Sequence, residues 1–187
     1  MLGSGVLSHL FLYSYKLGTL KMRLTNQNIQ DAVIEAIGKE ALPIVEYLKN
    51  RRNISDFKIA EKTNMRIQRV RNLLYQLYDN GVVSYIKRKD SVKGWYISYF
   101  SFNPKGTKDF VERLRKQNIK KYMERLEVEE KGDLFFICPN FCVRLNLDNS
   151  AEFDFHCPEC GNLLKQQDNK KTINYIKEKI RELEVAG

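Results

Sequence analysis

Four cysteines in two close pairs constrain the fold of this chain more than any other feature of its sequence. The first pair is Cys138 and Cys142, the second is Cys157 and Cys160, and the 187 residues contain no other cysteine. Two close pairs separated by roughly a dozen residues or more suit tetrahedral coordination of zinc by four thiolates. Nothing in the sequence is typical of a secreted protein, so a metal site is a better interpretation than disulfide bonds. The pattern predicts one structural zinc ion at the centre of a small ribbon.

The spacing within and between the two pairs adds local detail. Each cysteine pair is expected to form a tight loop around the ion, which we call a knuckle. Three residues separate Cys138 from Cys142 where two are commonest, so the first knuckle is expected to be slightly wider than the second. Apolar residues alternate with polar ones on both sides of the polar stretch 148–150, which predicts a β-hairpin between the pairs. His156 is next to Cys157, but adjacent residues rarely point at one ion, and we do not count it as a ligand.

The predicted metal site is structural because four thiolates leave no open position on the ion at which water is activated. The rest of the chain offers little chemistry: it has two histidines in all, and no glycine-rich loop of the kind that cradles phosphate. The sequence therefore predicts that the protein is not an enzyme.

The first half of the chain has a helix-turn-helix pattern. Ser55 is placed to cap a short helix, residues 63–64 are typical of a turn, and a longer helix is predicted at about 65–78. Two β-strands are predicted next, at 82–86 and 94–102, with a basic segment between them. Helix, turn, helix and a hairpin with a basic tip are typical of a winged-helix domain.

The hairpin, which we call the wing, carries the first candidate nucleic-acid surface. Basic side chains attract phosphates, and aromatic side chains on an outer face stack on unpaired bases. Strand alternation puts Trp95 and Tyr96 on opposite faces, so the aromatic residues of the wing cannot all belong to the core. The candidate wing residues for binding nucleic acid or a polymerase are Lys87, Arg88, Lys89, Lys93, Trp95 and Tyr96.

The longer helix of the motif carries a second candidate surface. In DNA-reading proteins this helix enters the major groove, where its polar side chains contact base edges and phosphates. Arg66, Arg69 and Asn72 lie on the face opposite the predicted core. The same face can equally be a solvated surface, and winged helices also serve as platforms for proteins, so both interpretations stay open.

Two more helices complete the predicted organisation, which is of the α+β class. The pair Asn103-Pro104 is typical of a helix start, and the charged stretch after it is predicted to be a linker helix. The last helix carries an apolar stripe that is expected to dock on the ribbon or on a partner, formed by Ile173, Ile176, Ile180 and Leu183. The predicted parts are an extension without a folded role at 1–21, the winged-helix domain at 22–103, the linker helix at 104–132, the zinc ribbon at 133–167 and the amphipathic helix at 168–187.

The chain is basic, with a formal net charge of +9 and a sequence pI near 9.3. This favours a polyanionic partner or an acidic protein surface over a neutral small molecule. In the stretch 1–21 the apolar run is broken by His9, Ser14 and Lys16, and this run is too short and too polar for a spanning helix of about twenty apolar residues. We therefore expect no membrane contact and a cytoplasmic protein whose partner is nucleic acid or a nucleic-acid machine.

The order of these parts, together with two short runs in the ribbon, resembles a known family. The first run is Phe136-Ile137-Cys138-Pro139 and continues to Arg144; the second is Ala151-Glu152-Phe153-Asp154-Phe155 and leads into the second cysteine pair. Joined to the winged helix, they resemble archaeal transcription factor E, the counterpart of the α subunit of the eukaryotic factor TFIIE. The resemblance extends from about Met22 to the C-terminus, and the three-residue gap in the first cysteine pair departs from it.

The resemblance implies a non-catalytic initiation factor that binds the clamp and stalk of an archaeal RNA polymerase. It implies that the factor acts at promoter DNA with the TATA-binding protein, facilitates or stabilises DNA opening, and holds its wing near the non-template strand. It is also compatible with a second, TFIIE-β-like subunit, and it implies association with the archaeal nucleoid.

Two other functions stay open from the residues alone. One is a sequence-specific winged-helix repressor that reads bases with Arg66, Arg69 and Asn72 and senses zinc or redox state through the ribbon. The other is a structural adaptor that keeps the ribbon but makes no contact with DNA.

Overall fold

The computed structural model describes residues 24–89, 91, 94–131 and 134–185. The predicted extension at 1–21 and the wing candidate Lys93 lie outside the described residues. The chain forms two compact units, and the division between them falls within one helix, after Arg115. No helix in the described ranges is long and apolar enough to cross a membrane.

The first unit begins with two short helices. Helix α1 (Asn26–Ala36) starts where the Thr25 hydroxyl accepts a hydrogen bond from the Asn28 N–H at 3.2 Å, the N-cap arrangement in which threonine is common. One 3₁₀ turn (Lys39–Ala41) leads into α2 (Leu42–Leu48). Both helices turn apolar side chains inward, which starts the core of this unit.

A helix-turn-helix follows, as the sequence predicts. Helix α3 (Asp56–Thr63) begins where Ser55 Oγ accepts a hydrogen bond from the Lys58 N–H, and it ends at Asn64, which has a left-handed backbone. After the turn, α4 (Ile67–Asp79) buries the face formed by Val70, Leu73, Leu74 and Leu77. Buried Asp56 accepts a hydrogen bond from Arg71 Nε at 2.7 Å, and this ion pair joins α3 to α4.

A three-stranded antiparallel sheet completes the winged-helix fold. Its strands are β1 (Ile54–Ser55), β2 (Val83–Lys89) and β3 (Tyr96–Phe102), in the order β1-β3-β2. The hairpin of β2 and β3 is the predicted wing. Helices α1 to α4 and this sheet confirm the α+β fold class and the winged helix within it.

Helix α5 (Pro104–Glu130) runs through both units, and its first turns close the core of the first. Asn103 caps it by accepting a hydrogen bond from the Gly106 N–H at 3.1 Å. A Cβ on Gly106 would lie 2.2 Å from the Gly81 carbonyl oxygen, so only glycine fits where the helix passes the start of the wing. The buried side chains of this core include Val33, Ile44, Leu48, Ile59, Leu73, Leu74, Leu77, Val83, Phe100, Phe110 and Val111.

In the second unit, the last helix packs on the second half of α5. Helix α7 (Lys170–Val185) buries Ile176 and Ile180 against Ile119. Tyr122, Met123, Leu126 and Leu183 pack around them. The expectation that this stripe docks on the ribbon or on a partner is therefore wrong, because the narrow apolar stripe of α5 is its partner.

The ribbon lies between these two helices in the sequence. Its strands β4 (Phe135–Ile137), β5 (Arg144–Asn146) and β6 (Lys165–Gln167) form an antiparallel sheet in the order β5-β4-β6. The predicted hairpin between the cysteine pairs is wrong, because helix α6 (Leu147–Glu152) spans the predicted turn and residues 153–155 form a turn where the return strand was expected. Asn146 explains the difference: its side chain accepts a hydrogen bond from the Asn149 N–H and starts a helix.

Candidate metal centre and nucleic-acid surface

The four predicted zinc ligands converge in the ribbon. Their Sγ atoms all lie within 4.8 Å of one another, close to the edge of about 3.8 Å that zinc–sulfur bonds of about 2.3 Å give in a tetrahedron. The Sγ atoms of Cys138 and Cys160 are 3.4 Å apart, well beyond the length of a disulfide bond, and all four cysteines are free thiols. The cluster can therefore hold one tetrahedral metal ion.

Two backbone knuckles position these thiols, and they close in the same way. In the first (residues 138–143) the Cys138 N–H donates to the Val143 carbonyl at 3.1 Å; in the second (157–162) the Cys157 N–H donates to the Asn162 carbonyl at 2.8 Å. Each N–H bonds a carbonyl five residues further along the chain. The two knuckles are thus equivalent at their base, although the first has one residue more between its cysteines.

The knuckles differ at the residue that reverses the chain. In the second knuckle this residue is Gly161, with a φ of 72°, which follows Cys160. In the first it is Phe141, with a φ of 57°, which precedes Cys142. The extra residue of the wide spacing is accommodated there, so the departure from the commonest spacing changes the tip of the knuckle while its base stays the same.

The pKa values of the cysteines reflect how closely the four thiols lie together. Burial raises the pKa of the Cys138 thiol, but the N–H groups of Asn140 and Cys142 and nearby thiols outweigh burial and lower it to about 7. The pKa of Cys142 is raised to about 12, chiefly by its hydrogen bond with the Cys160 side chain. Burial raises the pKa of Cys157. Four thiols so close together cannot all ionise unless a cation lies among them, as in a metal site.

A polar cluster that the sequence analysis missed joins the ribbon to the helices of its unit. Glu129, near the end of α5, is 3% exposed, and its carboxylate accepts a hydrogen bond from Arg144 Nη2 at 2.9 Å. The guanidinium carbon of Arg144 lies 3.7 Å from the centre of the Phe135 ring. Asn169 donates to the Glu129 carbonyl oxygen at 2.9 Å. No local sequence signal marks this cluster because its members come from the ends of separate elements.

On the wing, the structure brings a cation and an exposed ring together. Lys89 is the cross-strand partner of Tyr96, and Lys87, two residues earlier on β2, lies on the same face of the sheet. Arg88 is the partner of Ile97 on the other face. Tyr96 is 69% exposed and Trp95, just before β3, is 57% exposed. Basic and aromatic groups therefore lie side by side near the tip of the hairpin.

The aromatic residues at the base of the wing have a different environment. Phe100 is buried, and its ring centre is 5.5 Å from that of Tyr85, which packs edge-on against Tyr78 at 4.9 Å. As expected, only some of the wing aromatics belong to the core. The exposed ones are those next to the basic tip.

Positive charge is concentrated in the first unit. Between residues 24 and 115 there are 17 lysines and arginines against 10 acidic residues, whereas 116–187 holds 12 basic and 13 acidic residues. A polyanion is therefore attracted to the winged-helix unit and not to the ribbon unit.

The candidates on α4 have different partners. Arg69 Nε donates to Glu40 Oε2 at 2.7 Å, and both side chains are exposed. Arg66 is the residue just before the helix, and Asn72 is exposed on its outer face. The structure thus places the three residues on one surface, with the Arg69 guanidinium engaged by a carboxylate.

Comparison with known proteins gives a consistent result. The family model of the TFIIE alpha subunit matches residues 27–131. Transcription factor E of Thermococcus kodakarensis is 32% identical over 161 residues, which cover 86% of this chain and 86% of that protein. Transcription factor E of Sulfolobus acidocaldarius is 33% identical over 151 residues, covering 80% and 88%. That of Methanobrevibacter smithii is 35% identical over 143 residues, covering 76% and 82%.

Similarity to solved structures is weaker. A possible transcriptional regulator from Methanosarcina mazei Go1 is 13% identical, with 55% of this chain and 86% of that chain covered, and its TM-score is 0.44. A score at this level carries no argument about function. The sequence relatives, which match along most of their own length, carry the assignment.

Proposed function

Because this chain belongs to the family of transcription factor E and the TFIIE alpha subunit, and is thus a transcription initiation factor, we propose that it binds an archaeal RNA polymerase and facilitates the opening of promoter DNA. The observation that carries this proposal is the wing, where Lys89 and exposed Tyr96 form a cross-strand pair in the more basic unit. A cation beside an exposed ring suits a phosphate next to an unpaired base.

The proposed mechanism is stabilisation of the melted state. Lys87, Arg88 and Lys89 neutralise phosphates of the non-template strand, while Trp95 and Tyr96 stack on its bases. Stacking of this kind contributes about 1 to 3 kcal/mol per base and is available only once the strands separate. A factor that binds the open state more tightly than the closed state shifts the equilibrium by that difference in affinity. No reaction is catalysed in this mechanism.

The ribbon supplies a folded surface for recruitment in the same proposal. Cys138, Cys142, Cys157 and Cys160 would hold one zinc ion, and the convergence of four thiols within 4.8 Å fits that ion. When bound, zinc cross-links the two knuckles and leaves no position open for chemistry. The proposed partners are the clamp and stalk of the polymerase, with the TATA-binding protein at the promoter and a TFIIE-β-like subunit as a further component.

The alternative of a sequence-specific repressor is not favoured. Its base-reading residues would include Arg69, whose guanidinium is bound by Glu40. Family membership also points to a factor of general initiation, which does not need to read sequence.

A promoter-opening assay tests the proposal. Purified archaeal polymerase with its basal factors is combined with a weak promoter that carries a fluorescent base in the melted region. Wild-type protein is expected to increase opening, and the Trp95→Ala/Tyr96→Ala variant is expected to increase it less. On a template with a preformed mismatch bubble the difference between the two proteins should shrink, because strand separation is already complete. Tyr175→Ala, which removes an exposed ring from α7, is the matched control. Equal opening with and without wild-type protein would refute the proposed function.

A further inference from the structure

Phe141 combines two properties that are unfavourable for a folded chain. Its side chain is 83% exposed, the largest such fraction among the described large apolar residues, so burial of the ring contributes little to stability. Its backbone has a φ of 57°, a left-handed conformation that is costly for a bulky side chain and is normally left to glycine or asparagine. The fold therefore gains nothing from an aromatic residue at this position.

The metal site does not require this residue either. The second knuckle closes on the same base with two residues between its cysteines and with Gly161 at its left-handed position. Residues in strained conformations persist when the surrounding structure holds them, and they cluster at functional sites such as active sites and ligand clamps. The wide spacing of the first knuckle thus has one clear consequence, which is that a large apolar ring projects into solvent.

The ring is held on a rigid support. The Phe141 N–H donates to the Cys138 carbonyl at 2.8 Å. The preceding residue, Asn140, donates through its backbone N–H to Cys138 Sγ at 3.3 Å and through its side-chain amide to Cys160 Sγ at 3.8 Å. The following residue, Cys142, is itself in the thiol cluster. Because the backbone that carries the ring is already fixed, binding costs little backbone ordering, which favours an interface anchor.

The charge of the ribbon as a whole selects the class of partner. Between residues 134 and 167 the acidic residues are Asp148, Glu152, Asp154 and Glu159, and the basic residues are Arg144 and Lys165. Arg144 is engaged by buried Glu129, which leaves the surface of the ribbon acidic. An acidic surface repels phosphates and is complementary to a basic protein surface.

We propose that Phe141 is the anchor of a protein-docking surface, and that it inserts into an apolar pocket within a basic region of the RNA polymerase. This inference rests on the proposed function and adds to it the residue that binds and the chemistry of the surface that receives it. The wing contacts DNA, and the knuckle tip contacts protein.

The test measures the affinity of the full-length protein for purified archaeal RNA polymerase. Phe141→Gly and Phe141→Asn remove the ring and suit the left-handed backbone, whereas Phe141→Tyr keeps the ring. Loss of a central aromatic anchor weakens binding by roughly 30-fold or more, and this is expected for the Gly and Asn variants. The Tyr variant and the Tyr175→Ala control should bind like wild type. Zinc content should stay at wild-type level in all variants, and zinc loss to a chelator should be no faster, because backbone strain is relieved.

Each other outcome contradicts the proposal. Unchanged affinity of Phe141→Gly would show that the ring is not an anchor. Loss of zinc from both the Gly and the Asn variants would assign the ring to the fold. Weaker binding of single-stranded DNA with unchanged polymerase affinity would assign it to nucleic acid. If wild-type protein itself does not bind the polymerase, the proposed function fails as well, and the two failures are thereby distinguished.

Discussion

The winged helix and the ribbon belong to one chain, yet their interiors differ in kind. Among the described residues, 17 buried side chains from five helices, one 3₁₀ turn and the wing form a single apolar core in the first unit. In the ribbon the buried cluster consists of Cys138, Cys157 and Leu164, with three partly buried neighbours. A cluster of this size supplies too little apolar burial to fold a segment of some thirty residues. The first unit is therefore stabilised by the apolar core that its own side chains form, whereas the ribbon needs an ion bound by its thiols in order to fold.

Removal of the metal is the strongest test of this difference. Structural zinc contributes about 10 to 16 kcal/mol of apparent binding free energy, so Cys157→Ser is expected to unfold the ribbon and leave the winged helix intact. Amide NMR spectra of the variant should lose the dispersed signals of residues 134–167 and keep those of 24–103. Zinc content measured on the same sample should fall to near zero. Full zinc occupancy in this variant would contradict the assignment of Cys157 as a ligand.

A substitution that creates a cavity in the apolar core of the winged helix tests the same difference from the other side. Leu74 is fully buried, and Leu74→Ala is expected to lower the unfolding free energy of the winged helix by about 2 to 5 kcal/mol. Chemical denaturation followed by winged-helix NMR signals measures this loss. Zinc content and the ribbon signals should not change. Simultaneous loss of zinc would show that the two interiors are not independent.

Glu129 gives a smaller effect within the second unit. Glu129→Ala removes the buried carboxylate that accepts from Arg144, whereas the bond from Asn169 to the Glu129 backbone carbonyl is kept. Loss of the charged hydrogen bond is expected to destabilise this unit by about 1.5 to 3 kcal/mol. Faster loss of zinc to a chelator is the readout. Glu127→Ala, which removes an exposed carboxylate paired with Lys131, is the control and should behave like wild type. Equal rates for both variants would mean that the Glu129 cluster does not hold the ribbon.

The smallest effect concerns the charge difference between the units. Lys87→Gln and Lys89→Gln are each expected to reduce the slope of log affinity against log salt, for single-stranded DNA, by roughly 0.7. Lys120→Gln in the second unit, whose side chain is 79% exposed, is the matched control. A change of slope in the control as large as in the wing variants would remove the charge argument for the wing.

Features encoded locally were predictable from the sequence. The caps at Thr25, Ser55 and Asn103 satisfy backbone groups within three residues, so they can be identified without knowledge of the fold. The cysteine spacing is equally local and predicted the thiol cluster. Strand alternation is local as well, and the register of β2 and β3 follows it, with Tyr96 and Ile97 on opposite faces.

Features that depend on distant partners were not predictable. The apolar stripes of α5 and α7 could each be recognised from their periodicity, but not that they pack on each other, because some fifty residues separate them in the chain. Glu129 and Arg144 give no joint signal because charge at a helix end and charge on a strand are each common alone. The helix that replaced the predicted hairpin is six residues long, too short for periodicity to distinguish it from a strand and turn. The only sequence signal for Phe141 was the wide spacing of the first cysteine pair. The exposure of its ring depends on its positive φ, which the sequence does not reveal.

The pairing of β4 with β6 has a consequence for how such a protein can evolve. These strands lead into and out of the ribbon, and as antiparallel neighbours they bring its two ends to within about one strand spacing of each other, roughly 5 Å. A segment whose ends lie so close can be inserted into, or excised from, a loop between two packed helices without separating them. Residues 134–168 can therefore be exchanged as one segment, provided that Glu129, which is buried against Arg144, is replaced with them. Related proteins can then differ in the length or the presence of the ribbon, while α5 and α7 keep the apolar contact between them.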